Sequence, residues 1–452
     1  MVIANIALGL LGLGIVVFVH ELGHFLAARL VGIDVEAFSI GWGKPILKKK
    51  IGATEYRLGM FPVGGYCKMR GNEELEEAWE QKSSGVKPEK GTYYGATPLD
   101  RIIVAVAGPL FNLIFALLVM SVISGFGSEV FTSENRIILA SEFDREAVFP
   151  ADAAGFETGD RIVRVNRRRT SHSHEVHRRI AVNPERNLRI TVERQGEAEP
   201  VILEVRPDLD RNTGMGRIGI FFWTDPVIGG IVPESNAEAA GLRPGDRIIR
   251  VNGEPVEHTI GFMRALDGDA STATIDFIRE GVESTLTLAL PEAEGERIGI
   301  GWEVIQYRTP SLSPPAALAR GAAETWETFL DLQRGIATLF RGINLTQAVS
   351  GPVRITYMVG EVATEGFGHG FGAGLRSTAG FLAFISIALA VMNLLPLPIL
   401  DGGLIVLSVV EIIRRKPTHP KALKVLQTIG MVLIFSLMIF ALFGDILFLA
   451  RR

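Results

Sequence analysis

The chain has 452 residues, a formal net charge of −4, 47% hydrophobic residues and a mean hydropathy of +0.27. That charge carries no nucleic-acid-binding footprint. So apolar a chain with 21% charged residues is not an ordinary soluble enzyme; membrane segments must alternate with polar ones. Cys67 is the single cysteine, so no intrachain disulfide can form, and any part outside the cytoplasm must fold on its hydrophobic core alone.

The first apolar run covers residues 3–30. It lacks a basic leader and a small-residue cleavage site, and reads as a retained membrane helix rather than a removed signal. Its end carries His20-Glu21-Leu22-Gly23-His24, an H-E-x-x-H pattern. Four helical residues turn about 400°, so both imidazoles leave one face, one above the other. That spacing suits two ligands on a single zinc, with Glu21 placed to act on bound water. His and Glu at the end of an uncharged apolar run are costly and therefore functional candidates.

Residues 54–70 alternate large and small side chains and read as a β element. Within them Val63-Gly64-Gly65-Tyr66 allows a tight turn or close backbone approach. Residues 73–90 alternate acid and base and read as a solvated loop. The second apolar run, 102–126, is free of charge; its Asn112, near Pro109, reads as a helix–helix hydrogen-bonding group.

The region that follows contains a repeat. Residues 154–166, A-G-F-E-T-G-D-R-I-V-R-V-N, recur at 240–252 as A-G-L-R-P-G-D-R-I-I-R-V-N. Each copy reads as a helix end, a Gly-Asp turn and a short β-branched strand. Residues 312–343 carry apolar side chains at helical spacing among charges and read as amphipathic helices. The third span is expected at 378–400, followed at once by Asp401-Gly402-Gly403, and the fourth at 425–449. Basic residues (Lys44, Lys48, Lys49, Lys50 and Arg57; Arg414, Arg415, Lys416, Lys421 and Lys424) mark the two short loops as cytoplasmic. Both termini and the repeats are then expected outside.

Catalytic zinc usually takes three protein ligands. His172, His174, His177, His258 and His369 fall on the outer side, and His419 lies in a basic loop. Asp401, at the membrane depth of the H-E-x-x-H motif, is the better third ligand, because an intramembrane carboxylate needs a partner. Asn393, close to Pro396, Pro398 and Asp401, reads as a substrate contact, and Cys67 as an inert packed thiol.

H-E-L-G-H on the first span, A-G-P-L-F-N at 107–112 and N-L-L-P-L-P-I-L-D-G at 393–402 together resemble the site-2 protease family of intramembrane zinc metalloproteases. The A-G-x-x-x-G-D-x-I-x-x-V-N repeats resemble PDZ domains, as in the bacterial branch with two such domains between the second and third spans. The resemblance implies a polytopic α-helical membrane protein with about four transmembrane helices and two inserted β-rich PDZ-like domains. The expected divisions are 1–127, 128–208, 209–303, 304–376 and 377–452. It implies Zn2+ held by His20, His24 and Asp401, Glu21 as the catalytic acid/base, and Asn393 on the substrate backbone. Gly64 and Gly65 would lie on a membrane-associated β element that receives substrate. The implied substrates are single-span membrane proteins, such as an anti-sigma factor or a remnant signal peptide, cut in a bacterial inner membrane whose lipid surrounds the enzyme. Two rivals differ in class. A membrane-anchored PDZ scaffold leaves the H-E-x-x-H motif idle, and a metal transporter needs polar groups spread through several spans.

Overall fold

The computed structural model describes the chain except residues 1, 72–76, 78, 82–88, 128, 145–146, 268–269, 292–297, 340, 343–350, 369 and 451–452. Most of the expected solvated loop at 73–90, and His369, therefore lie outside the described residues. The chain divides into two units: Met1–Ser128 with Pro310–Arg452, and Glu129–Thr309.

The first unit is helical with one β element. Its helices are α1 (Val2–Leu30), α2 (Pro98–Phe126), α3 (Pro314–Leu339), α4 (Pro352–Gly368), α5 (Phe371–Asn393), α6 (Asp401–Arg414) and α7 (Pro420–Ala450). Among the described residues, α1, α2, α5 and α7 contain the four stretches long and apolar enough to cross a membrane. α2 starts where its sequence directs. Thr97 accepts from Asp100 N–H, Asp100 accepts from Thr97 N–H, and Pro98 occupies the first turn. α5 stops at Asn393, short of the expected 400, because Pro396 and Pro398 cannot continue a helix. The link across these prolines delivers Asp401 as the first residue of α6.

The division expected at 304–376 contributes to both units. Ile305–Arg308 is a strand of the other unit, whereas α3 and α4 pack on the spans. Phe329 of α3 shares a core with Ala116 of α2 and Ala383, Ile387 and Val391 of α5. α4 lies backbone to backbone with α1: a Cβ at Gly360 would fall 1.9 Å from Asn5 O, and one at Gly9 1.8 Å from Thr356 O. Thr364 Oγ1 donates to Asn5 Oδ1 across this contact, at 2.7 Å. Small residues are what allow helices to approach so closely.

The β element comprises β1 (Val35–Ile51) and β2 (Thr54–Met69). Residues 37–40 are flanked on both sides. Ala37 pairs with Lys68 and Ile40 with Gly65 on one side, while Ala37 meets Glu55 and Ile40 meets Leu58 on the other. The second half of β2 is thus an outer strand, and the first half an inner one. Phe38 and Val35 anchor the element in a core with Phe25 and Ala28 of α1 and Val104 of α2.

The second unit holds the repeats as two four-stranded antiparallel sheets of matching order. Arg161–Val165 is flanked by Arg168–Arg169 and Leu188–Glu193, with Val201–Val205 outermost. Arg247–Val251 is flanked in the same way by Glu254–Pro255 and Thr272–Arg279, with Val282–Ala289 outermost. The repeated Gly-Asp pair is structural. Asp160 and Asp246 are buried, and each is gripped by one arginine, Arg194 or Arg279, at 2.7–2.8 Å. The same arginines donate to Gly155 O and Gly241 O, tying the turn to the sheet. Ile220–Phe222, expected in the second copy, pairs with Ile137–Leu139 of the first. Its neighbour Ile218 lies in the first core with Ile162 and Ile190. The first repeat therefore runs past the expected division at 208, because its last strand closes beside its first.

Candidate metal centre

α1 places His20 and His24 one turn apart, both buried. Their Nε2 atoms are 3.1 Å from each other. Asp401, at the start of α6, brings Oδ2 to 3.3 Å from His20 Nε2 and Oδ1 to 3.4 Å from His24 Nε2. These separations match a zinc site. A tetrahedron with Zn–N and Zn–O bonds of roughly 2.0–2.1 Å has edges of about 3.3–3.4 Å. Among the described residues these three form the one cluster of three or more His, Cys, Asp or Glu side chains that could hold a metal, with donor atoms within 4.8 Å of one another. The donor set therefore fits zinc, with two imidazole nitrogens and a carboxylate oxygen leaving one corner open.

The walls come from α2, α5 and the β element. His24 Nδ1 donates to Val104 O at 2.8 Å, which leaves its Nε2 as a lone-pair donor. α2 can come this close because residue 108 is glycine: a Cβ there would lie 2.4 Å from His24 Nε2 and 2.8 Å from His20 Cε1. Asn112 reaches His20 Nδ1 at 3.1 Å, and Asn393 reaches His20 Nε2 at 3.3 Å.

Glu21 faces the outer strand of β2, with its Cγ beside Gly65. Gly65 lets the strand approach, since a Cβ there would stand 3.4 Å from Glu21 Cγ and 2.7 Å from Ser39 O. Gly64 has φ +78°, and a Cβ there would meet the Trp42 ring at 2.5 Å. Burial pushes the Cys67 thiol up to about 12, so it stays a protonated, inert packing group. A cavity of about 400 Å³ joins His20, Glu21, His24, Asp401, Asn393 and Tyr66.

The model of peptidase family M50 matches residues 8–437. The chain belongs to peptidase family M50. This M50 protease is 37% identical to a putative zinc metalloprotease of Treponema pallidum (strain Nichols) over 98% of this chain and 99% of the relative. It is also 28% identical to the regulator of sigma-E protease RseP of Escherichia coli (strain K12), over 98% of each chain. A regulator of sigma E protease of Haemophilus influenzae is 29% identical over 97% of each. The M50 protease is a zinc metalloprotease of the site-2 type, with Zn2+ as cofactor.

Of the residues singled out in the sequence, His20, Glu21, His24, Asn393, Asp401 and Gly65 come together in this M50 protease, with Gly64 beside them. His172, His174, His177 and His258 lie in the Glu129–Thr309 unit. His172 and His174 stack on each other, and His172 also meets the Tyr307 ring. His258 packs on Trp223 and caps a helix by accepting from Gly261 N–H. His419 Nδ1 accepts from Lys421 N–H in the α6–α7 loop. Two site features take their detail from the structure: Val104 acts through a backbone carbonyl, which no side chain announces, and Asn112, expected to bond a neighbouring helix, does so at His20 of α1. The A-G-P-L-F-N string was the available signal for the second.

Proposed function

We propose that the chain is an intramembrane endopeptidase that cuts the membrane-spanning segment of single-span proteins. One observation carries the reading. His20, His24 and Asp401 converge from α1 and α6 with the spacing of three zinc ligands, beside the outer strand at Gly65. In this reading His20, His24 and Asp401 would hold the ion. Bound zinc supplies Lewis acidity, which lowers the pKa of water to near 7 and polarises the scissile carbonyl. Glu21 accepts the proton of the attacking water and delivers it to the amide nitrogen as the C–N bond breaks.

A helical substrate keeps its carbonyls in internal hydrogen bonds and must unwind to react. The outer strand of β2 offers substitute backbone bonds, and Gly65 lets that strand run close beside Glu21. Asn393, which also lines the cavity, holds the substrate backbone. The repeats are PDZ-like domains, and the basic short loops support an inner-membrane orientation with the repeats periplasmic. Substrates of the anti-sigma-factor or remnant-signal-peptide type are in keeping with the relatives named as regulators of sigma-E protease.

The test is metal content beside cleavage of a single-span reporter. His20→Ala, His24→Ala and Asp401→Ala are each expected to lose zinc and activity. Glu21→Gln is expected to keep zinc and lose activity. Full zinc occupancy in Asp401→Ala would remove it from the ligand set.

A further inference from the structure

We infer that Asn112 is a positioning residue for the metal centre: its side-chain oxygen accepts from His20 Nδ1–H and so leaves His20 Nε2 free as a donor. The inference rests on the reading of His20 as a ligand.

Val104, Gly108 and Asn112 follow one another at intervals of four along α2 and form a single stripe. The stripe faces the His20–His24 pair of α1. Val104 O accepts from His24 Nδ1, Gly108 makes room for both rings, and Asn112 meets His20 Nδ1. His24 is thereby held with its proton on Nδ1 and its lone pair on Nε2. Asn112 occupies the corresponding place for His20. It is completely buried, and its own backbone O accepts from the buried Ser386 Oγ of α5 at 3.0 Å, which fixes it between two helices.

The orientation of the amide decides what Asn112 does. With Nδ2 toward His20 Nδ1, Asn112 Oδ1 is a buried acceptor without a donor. That orientation also forces the imidazole proton onto Nε2, the atom 3.3 Å from Asp401 Oδ2. The two ends of an amide have nearly the same shape, and the hydrogen-bond network decides between them. Turning the amide by 180° gives Oδ1 a donor, His20 Nδ1–H, and clears Nε2. Both histidines then share one tautomer, one set by a backbone carbonyl and the other by a side-chain carbonyl. Such outer partners of ligating histidines typically contribute about 10- to 100-fold in metal affinity.

The test uses the full-length protein and zinc alone, measured by competition with a chelator. Asn112→Leu, which keeps the branched shape and removes the acceptor, is expected to weaken zinc binding about 10- to 100-fold. Asn112→Asp, which keeps an acceptor and lacks an amide N–H, is expected to bind zinc within threefold of the parent or more tightly. A packing role, or a donor role, predicts that both variants fail alike. Equal affinity in Asn112→Leu and the parent, or equal weakening in both variants, overturns the inference. A second measurement needs no variant at position 112. Nitrogen-15 NMR of the histidine-labelled, metal-free protein, with the His20 signals assigned by their loss in His20→Gln, is expected to show the proton on Nδ1. A proton on Nε2 overturns the inference. His20→Ala separates the two levels: zinc retained there sinks the ligand reading, whereas zinc lost there but kept in Asn112→Leu sinks this inference alone.

Discussion

Arg101, in the first turn of α2, and Glu411, near the end of α6, form a buried ion pair. Glu411 also accepts from Thr418 N–H at 2.8 Å, which ties the loop after α6 to the same carboxylate. Asp401 stands ten residues before Glu411 on the same helix, about 15 Å along its axis. The pair therefore anchors the far end of the element that brings in Asp401, and it does so on α2, the helix that supports both histidines.

Removing one partner should cost more than removing both. Glu411→Ala leaves a guanidinium buried without its counter-charge, an expected loss of ~3–5 kcal/mol. The double variant Arg101→Met/Glu411→Leu is expected to recover most of that loss. Thermal unfolding of the purified proteins in detergent checks this. A double variant no more stable than Glu411→Ala would show that the charges themselves are not what holds α6 to α2.

Gly108→Ala should destroy the metal centre while leaving the catalytic groups present. The added methyl meets ring atoms of His20 and His24, neither of which can withdraw without leaving its place. Overpacking of this kind costs ~1–3 kcal/mol, and here the strain falls on the donor nitrogens. Zinc content should drop to background with α-helical circular dichroism retained. Normal zinc content would mean that α1 and α2 can separate without loss of the site.

Orientation can be read by labelling from either side of the membrane. Lys49 and Val282 are both exposed, and each can be replaced by a single cysteine in a Cys67→Ser background. Lys49 lies in the basic loop expected in the cytoplasm, and Val282 at a hairpin of the second repeat. An impermeant maleimide added to intact spheroplasts should label Val282→Cys and spare Lys49→Cys. Labelling of both from outside contradicts the orientation.

The repeats should be removable as a block. Glu129–Thr132 pairs with Ile305–Arg308, so Glu129 stands opposite Arg308 where the chain leaves the helical unit and returns to it. Paired strand residues are about 5 Å apart, a gap that a few residues of linker can span. Replacing residues 129–309 with a short Gly-Ser linker should keep zinc bound and cleavage of a shortened reporter intact. A reporter that retains a folded outer domain, rejected by the parent, should now be cut. Loss of cutting of the shortened reporter with zinc still bound would favour recruitment by the repeats over exclusion.

Some of this was legible residue by residue. H-E-x-x-H needs only a helix to align two imidazoles, and helical spacing is local. The repeated Gly-Asp-Arg-Ile pattern announced two similar units, because a turn and its buried aspartate are written within a few residues of each other. Pro396 and Pro398 carried a stop signal that the expected span to 400 passed over. Asp401 could be paired with the two histidines from its place just after the third apolar run, since an apolar setting makes a carboxylate costly without a partner, and its oxygens do lie 3.3–3.4 Å from their Nε2 atoms.

Other features depended on packing that no periodicity encodes. Asn112 in an apolar helix reads as a bond to a neighbouring helix without saying to which group; the rotation of α2 about its axis, set by Gly108 against α1, made it face His20. The alternation within residues 54–70 predicted a strand but not which half would be the outer one; β1 had to fall between the halves to expose the side at Gly65. Ile220–Phe222 joined the first repeat because strand pairing rewards closure between segments far apart in sequence. α4 carried an amphipathic pattern suited to a surface, yet its small residues let it dock against Asn5 and Gly9 of α1. The sequence by itself determined which chemical groups were available and which stood one helical turn apart. Only the tertiary structure decided which of them met, because closing a site between α1, α2, α5 and α6 depends on the relative rotation and depth of whole helices, and those follow from side-chain contacts between them.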